Sequence, residues 1–78
     1  KGLRDRILTF LSIQRSFYGS DQFEIPFNRE ELADYLCVNR SALSHELKLM
    51  EKDSLITCRK NKFQILEAEL YDRGNIHF

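Results

Sequence analysis

The sequence predicts a small α+β domain in which three helices combine with short antiparallel strands. Three observations support this fold class. The 78 residues are enough for one hydrophobic core but not for two. Apolar residues recur at helical spacing in three segments, and they alternate with polar residues in three shorter ones. We therefore expect one domain over residues 1–66, followed by a C-terminal tail over residues 67–78.

The first predicted helix covers residues 3–18. Its apolar side chains are spaced by three and four residues, and Gly19 begins a polar turn. The apolar stripe consists of Leu3, Ile7, Phe10, Leu11, Phe17 and Tyr18. This pattern predicts an amphipathic helix that packs on the core along one side.

A short strand and two further helices follow. Residues 23–27 alternate as a strand does, and Pro26 places that strand at a sheet edge because proline has no N–H to donate. Asn28 is a suitable N-cap for a helix over residues 29–36. Asn39 can cap a third helix that ends near Asp53.

The remaining pattern predicts a β-hairpin. Residues 55–59 and 62–66 are the two strands, and Asn61 tolerates the positive φ of a tight turn. The order helix, strand, helix, helix, strand, strand is that of a winged helix.

The second and third helices form a candidate helix-turn-helix, the motif that inserts its second helix into the DNA major groove. Ala33 is small enough for the helices to cross closely. At ~100° per residue, we expect one apolar arc on the third helix: Ala42, Leu43, Leu47, Leu49 and Met50. The opposite arc, which we call the polar face, holds Arg40, Ser41, Ser44, His45 and Lys48. Glu46 falls among the apolar residues, so we expect it at the boundary or paired.

The polar face and the hairpin carry the candidate DNA contacts. Arg40, Ser41, Ser44 and His45 are candidates for base edges or the groove. Candidates for phosphate contacts are Asn39, Lys48, Arg59, Lys60 and Lys62. The last three, which we call the basic hairpin end, are equally compatible with a solvated turn.

The sequence gives little support to other classes of protein, such as disulfide-rich, metal-binding, enzymatic or membrane proteins. Cys37 and Cys58 are too few for a disulfide framework or a four-ligand metal site, and we expect buried, reduced thiols. No catalytic motif, phosphate-binding glycine loop or membrane-spanning run appears, and no cofactor is expected. The balance of 12 basic and 12 acidic residues does not exclude DNA binding, because the distribution of charge decides it. We expect a cytoplasmic protein that is not an enzyme.

Residues 27–47 resemble the helix-turn-helix of the Crp/Fnr superfamily of bacterial regulators, and the stretch Asn39 to Ser44 followed by a basic hairpin is the most specific part. The resemblance extends over residues 3–66. It implies a winged-helix DNA-binding domain that follows a sensor domain and a dimerising helix. Since the chain starts without Met, we expect it to be a fragment that lacks both.

The resemblance also assigns Arg40, Ser41, Ser44 and His45 to recognition, and the chain departs from the family pattern at three positions. Ser41 stands where relatives often have Glu, and His45 stands where an Arg would fork onto guanine. Cys37 occupies a turn position where Gly is usual, at a cost of about 1 kcal/mol if its φ is positive.

The implied partners are a double-stranded DNA operator, a second copy of the full-length protein and, as a further candidate, RNA polymerase. The sensor's effector is not specified by these residues. Two alternatives remain open at this point: a winged helix used only for protein interaction or dimerisation, and a winged-helix regulator of another family.

Overall fold

The computed structural model describes residues 2–66 and follows the predicted order of elements. The helices are α1 (Leu3–Tyr18), α2 (Arg29–Leu36) and α3 (Arg40–Lys52), and the strands are β1 (Gln22–Glu24), β2 (Ile56–Arg59) and β3 (Lys62–Ile65). Three helices with a small antiparallel sheet make this a winged helix. The predicted tail, residues 67–78, lies outside the described residues.

The three strands form one antiparallel sheet in the order β1-β3-β2. The edge position predicted for the first strand is confirmed, but the strand is shorter than predicted. One more backbone bond follows it, from the Ile25 N–H to the Asn61 carbonyl (2.9 Å). Pro26 then stops the ladder because it has no N–H.

The core lies between the helices and the inner side of the sheet. Of the predicted stripe on α1, Ile7, Phe10 and Leu11 are buried, whereas Phe17 and Tyr18 are exposed. These two aromatic residues were wrongly assigned to the core. Tyr18 stacks on the buried Phe23 ring with only one of its faces, and Phe17 contacts the edge of Tyr18 on the outer side, so both stay exposed. The buried apolar set is Ile7, Phe10, Leu11, Phe23, Ile25, Leu32, Ala33, Leu36, Leu43, Leu47, Met50, Leu55, Ile56, Phe63 and Ile65.

Local chemistry sets the helix ends. Asn28 forms a full capping box with Glu31: the Asn28 side chain accepts from the Glu31 N–H (2.8 Å), and the Glu31 carboxylate accepts from the Asn28 N–H (2.9 Å). At the other end of α2, Cys37 takes a left-handed conformation with φ 61°. The α1 helix ends in the same way at Gly19, with φ 66°.

The tight turn of the β2–β3 hairpin is confirmed, but the positive φ belongs to Lys60 (55°) rather than to Asn61. Asn61 is held at the sheet edge, where its side-chain amide donates to the Ile25 carbonyl (3.0 Å) and its own carbonyl accepts from Ile25. Because Asn61 is fixed there, the first residue of the turn adopts the left-handed conformation.

The two left-handed C-caps predict opposite effects of substitution. Gly19→Ala should lower the free energy of unfolding by about 1 kcal/mol, which is the strain of a Cβ at positive φ. The added Cβ meets no atom within 4 Å, so no steric clash adds to this cost. Cys37→Gly should raise it by up to about 1 kcal/mol, since the strain relieved exceeds the entropy that glycine loses. Urea unfolding measures both changes. Equal signs for the two variants would contradict the backbone argument.

Candidate nucleic-acid interface

The α3 helix presents the candidate interface because only one of its sides is buried. Leu43, Leu47 and Met50 are at most 2% exposed and pack in the core. Four of the five side chains of the polar face are exposed and Ser44 is half-buried; the exposed ones are Arg40, Ser41, His45 and Lys48. The polar face is therefore open to solvent along the first two turns and beyond, as a groove-binding helix requires.

The predicted apolar arc was too wide. Ala42 and Leu49 are exposed, and they form an apolar edge on one side of the polar face. Burial of α3 is narrower than the amphipathic pattern indicated because only Leu43, Leu47 and Met50 point into the core. The sequence reasoning therefore missed Ala42 as a surface residue in the first turn, and its apolar type concealed it.

Asn39 fixes the start of the polar face. Its side-chain oxygen accepts from the Ala42 N–H at 2.7 Å, so the predicted cap of α3 is confirmed. That oxygen is occupied by the cap, so the side-chain NH₂ is the part of Asn39 that can still donate to another group.

Glu46 is paired, as predicted. Arg4 of α1 donates through Nε to Glu46 Oε2 at 2.6 Å and through Nη1 to Asp53 Oδ2 at 2.8 Å. Glu46 of α3 and Asp53 at its C-terminal cap are therefore both paired with one arginine outside the helix. The polar face keeps the positive charges of Arg40 and Lys48, which take part in none of the ion pairs described within residues 2–66.

The basic hairpin end is brought together by strand register. Arg59 lies directly opposite Lys62, and Glu24 lies opposite Lys62 on the other side. Like charges that face each other across strands are unfavourable by about 0.2–1 kcal/mol, and one acid offsets this only in part. Lys60 is exposed at the turn itself.

A hydrogen bond joins the hairpin to α3. The Cys58 N–H of β2 donates to Glu51 Oε2 at 3.2 Å. Because Cys58 lies on the free edge of the sheet, this carboxylate also satisfies a backbone donor that would otherwise be open. The strand therefore turns back beside the last turn of α3, and the basic hairpin end lies beyond that contact.

The cysteines differ from the expectation of two buried thiols. Both are free, but Cys37 is exposed at the end of α2, and only Cys58 is half-buried. Burial, and then the negative charge of Glu51, raises the pKa of the Cys58 thiol, so this group stays protonated near neutral pH. The expectation was wrong for Cys37 because the left-handed cap turns it to the surface.

Among residues 2–66, no three His, Cys, Asp or Glu side chains are grouped so that they could hold a metal ion. Within the same range, no helix has both the length and the apolar character to cross a bilayer.

An exposed polar helix face beside a basic hairpin, on a winged-helix frame, defines a DNA-binding helix-turn-helix domain of the class found in transcription regulators, a class that is not typically enzymatic. Residues 5–70 match the Crp-like helix-turn-helix domain family. The match covers most of the chain, and the chain belongs to this family.

A solved structure gives the same fold. It is that of a protein described as a transcriptional regulator of the Crp/Fnr family from Eubacterium rectale, and it superposes with a TM-score of 0.79 at 23% identity. The alignment covers 95% of this chain and 33% of that one, so this chain spans about a third of the other protein's length. Among curated proteins, none matches this chain.

The cap of α3 gives a direct test of how the interface is built. Asn39→Ala should lower the free energy of unfolding by about 1 kcal/mol, because the Ala42 N–H loses its acceptor. Asn39→Ser should retain most of the stability, since serine is as good an N-cap. Urea unfolding of both variants measures the difference. An equal loss for serine and alanine would show that capping is not what Asn39 contributes.

Proposed function

We propose that this chain is the sequence-specific operator-binding domain of a bacterial Crp/Fnr-like transcription regulator. The observation that supports this most directly is the exposure of the polar face of α3, opposite the buried Leu43, Leu47 and Met50. In this arrangement the N-terminal half of α3 inserts into the major groove, where base edges carry a distinct pattern of donors and acceptors.

The side chains of the polar face differ in what they can read. Arg40 presents a planar fork of donors that suits guanine or a phosphate. Ser41 and Ser44 are short, so a groove wall can approach the helix backbone closely there. His45 has at most two ring donors and cannot form the bidentate fork of an arginine. We infer a base preference at the His45 position that differs from that of relatives with Arg there.

The basic hairpin end supplies the proposed backbone contacts. Arg59, Lys60 and Lys62 concentrate positive charge at one end of the sheet, in spite of the repulsion between Arg59 and Lys62. Such contacts set register and affinity but carry no base information. Lys48 and the side-chain NH₂ of Asn39 would add phosphate contacts along α3.

Assembly is a proposal for the full-length protein. Two copies that read half-sites one helical turn apart would raise affinity through linkage. A homodimer formed through an upstream helix, under control of a sensor domain, would provide this geometry, and RNA polymerase is a candidate further partner.

Removal of polar-face side chains should reduce specific binding. Arg40→Ala or Ser44→Ala should weaken binding to a selected operator by ~1–3 kcal/mol, the usual contribution of a base-edge contact. Fluorescence anisotropy with an operator selected from a random DNA library measures this, and a scrambled duplex gives the non-specific reference. If the variants keep the parent's affinity and site preference, the polar face is not the reading surface. If the parent itself prefers no sequence and binds no DNA at low salt, the protein-interaction alternative gains support.

Removal of the hairpin lysines should change the salt dependence instead. Lys60→Ala combined with Lys62→Ala should flatten the slope of log K against log salt by roughly 0.9 for each phosphate that the protein no longer neutralises, with little change in sequence preference. Arg15→Gln is the control for loss of a positive charge away from the hairpin, since Arg15 pairs with Asp21 near the opposite end of the sheet, and its effect is compared with that of each single lysine variant. An unchanged slope in the double variant would indicate that these lysines lie in a solvated turn and do not contact phosphates.

A further inference from the structure

Arg4 spans two turns of α3 from outside that helix. Its Nε contacts Glu46 at 2.6 Å and its Nη1 contacts Asp53 at 2.8 Å. Glu46 and Asp53 are seven residues apart, so they lie on the same side of the helical axis, about two turns from each other. One guanidinium group, which is planar and rigid, is thus bonded at two points along the third helix.

The two contacts differ in exposure. The Glu46 side chain is 19% exposed and that of Arg4 is 34% exposed, so this contact is partly sheltered, whereas the Asp53 side chain is 53% exposed. The hydrogen bonds that Arg4 donates to Glu46, and secondarily to Asp53, raise the pKa of its guanidinium, a group that is always charged in proteins.

The contact adds a directional constraint on α3 that the apolar core does not provide. Burial of Leu43, Leu47 and Met50 determines which side of α3 faces inward, but the hydrophobic effect has no direction of its own. Side-chain tips lie about 5–6 Å from a helix axis, so a 20° rotation of α3 moves them by about 2 Å. Binding groups need to be held within about 0.5 Å of their productive positions. A two-point directional contact restricts that rotation.

A second arginine of α1 holds the other helix of the motif. Arg6 donates through Nη1 to the Leu36 carbonyl at 2.7 Å, at the C-terminal end of α2. The first turns of α1 therefore contact both α2 and α3 by hydrogen bonds.

We propose that Arg4 is a positioning residue for base readout, which holds α3 at the rotation that aims Ser41 and His45 at the groove floor. Arg4 does not contact DNA itself in this proposal. The inference rests on the proposed function, and it assigns to the Arg4–Glu46–Asp53 contact a role in specificity beyond stability.

The test compares Arg4→Gln with Arg15→Gln in the 78-residue chain. The Arg15–Asp21 pair has the same 2.6 Å length and its arginine lies on the same helix, but it does not involve α3. Arg4→Gln should lower affinity for the selected operator by about tenfold, comparable with one weakened base contact, and should change affinity for scrambled DNA by less than about twofold. Arg15→Gln should change neither by more than that. Equal decreases on both DNAs for Arg4→Gln would overturn the proposal.

A variant in which all three side chains of the contact are uncharged separates the positioning of α3 from the effect of charge on DNA binding. Arg4 also offsets one of the two carboxylate charges of Glu46 and Asp53, which would otherwise both repel phosphates. In Arg4→Gln with Glu46→Gln and Asp53→Asn, that repulsion is absent but the two-point ion pair has not been restored. Positioning predicts that specificity stays low in this variant, and recovery of operator affinity would overturn it. Arg4→Lys, which keeps the charge but not the fork, should fall between the parent and Arg4→Gln.

A measurement on the free protein distinguishes failure of the positioning role of Arg4 from failure of the proposed function. Backbone residual dipolar couplings report the orientation of α3 relative to α1 in the free protein. Arg4→Gln should change this orientation, and Arg15→Gln should not. An unchanged α3 would overturn the positioning role even if the parent binds its operator. Absence of DNA binding by the parent would instead reject the proposed function, whatever the couplings show.

Discussion

The burial of Leu43, Leu47 and Met50 against α1, α2 and the sheet is the interaction on which the rest of the architecture depends. These three side chains orient α3, and their burial leaves the polar face on the opposite side of the helix exposed. If they were not buried, the same serines, histidine and basic residues would have no defined direction. Burial of apolar surface thus determines the location of the candidate interface, although none of the buried atoms can contact DNA.

Electrostatics then divides the molecule into two kinds of surface. On the α1 side, arginines are bonded to acids or to a carbonyl: Arg4 to Glu46 and Asp53, Arg15 to Asp21, and Arg6 to Leu36. On the polar face, Arg40 and Lys48 stand outside the ion pairs described within residues 2–66. A chain with no net charge can therefore still expose positive charge on the polar face, because Glu46 and Asp53 are paired with Arg4.

Much of the fold was accessible from sequence because the signals are local. The capping residues Asn28 and Asn39 begin α2 and α3 where predicted, and Gly19 ends α1. These predictions succeed because an N-cap acts on N–H groups two or three residues away. The polar face was also predictable in outline, since helical geometry places Ser41, His45 and Lys48 together. The exposure of Ala42 beside the polar face was not predictable, because the type of an apolar residue does not indicate which neighbour covers it.

The sequence by itself determined the type and order of the elements, their caps and the residues available for contact with DNA, because each depends on chemistry within about one helical turn. Only the tertiary structure decided which apolar residues stay exposed, as with Phe17 and Leu49, and that Lys60 rather than Asn61 takes the left-handed turn position. It also decided that Arg4 reaches Glu46 and Asp53, 42 and 49 residues further along the chain. Such contacts depend on how the elements meet in space, which no spacing within a single segment encodes.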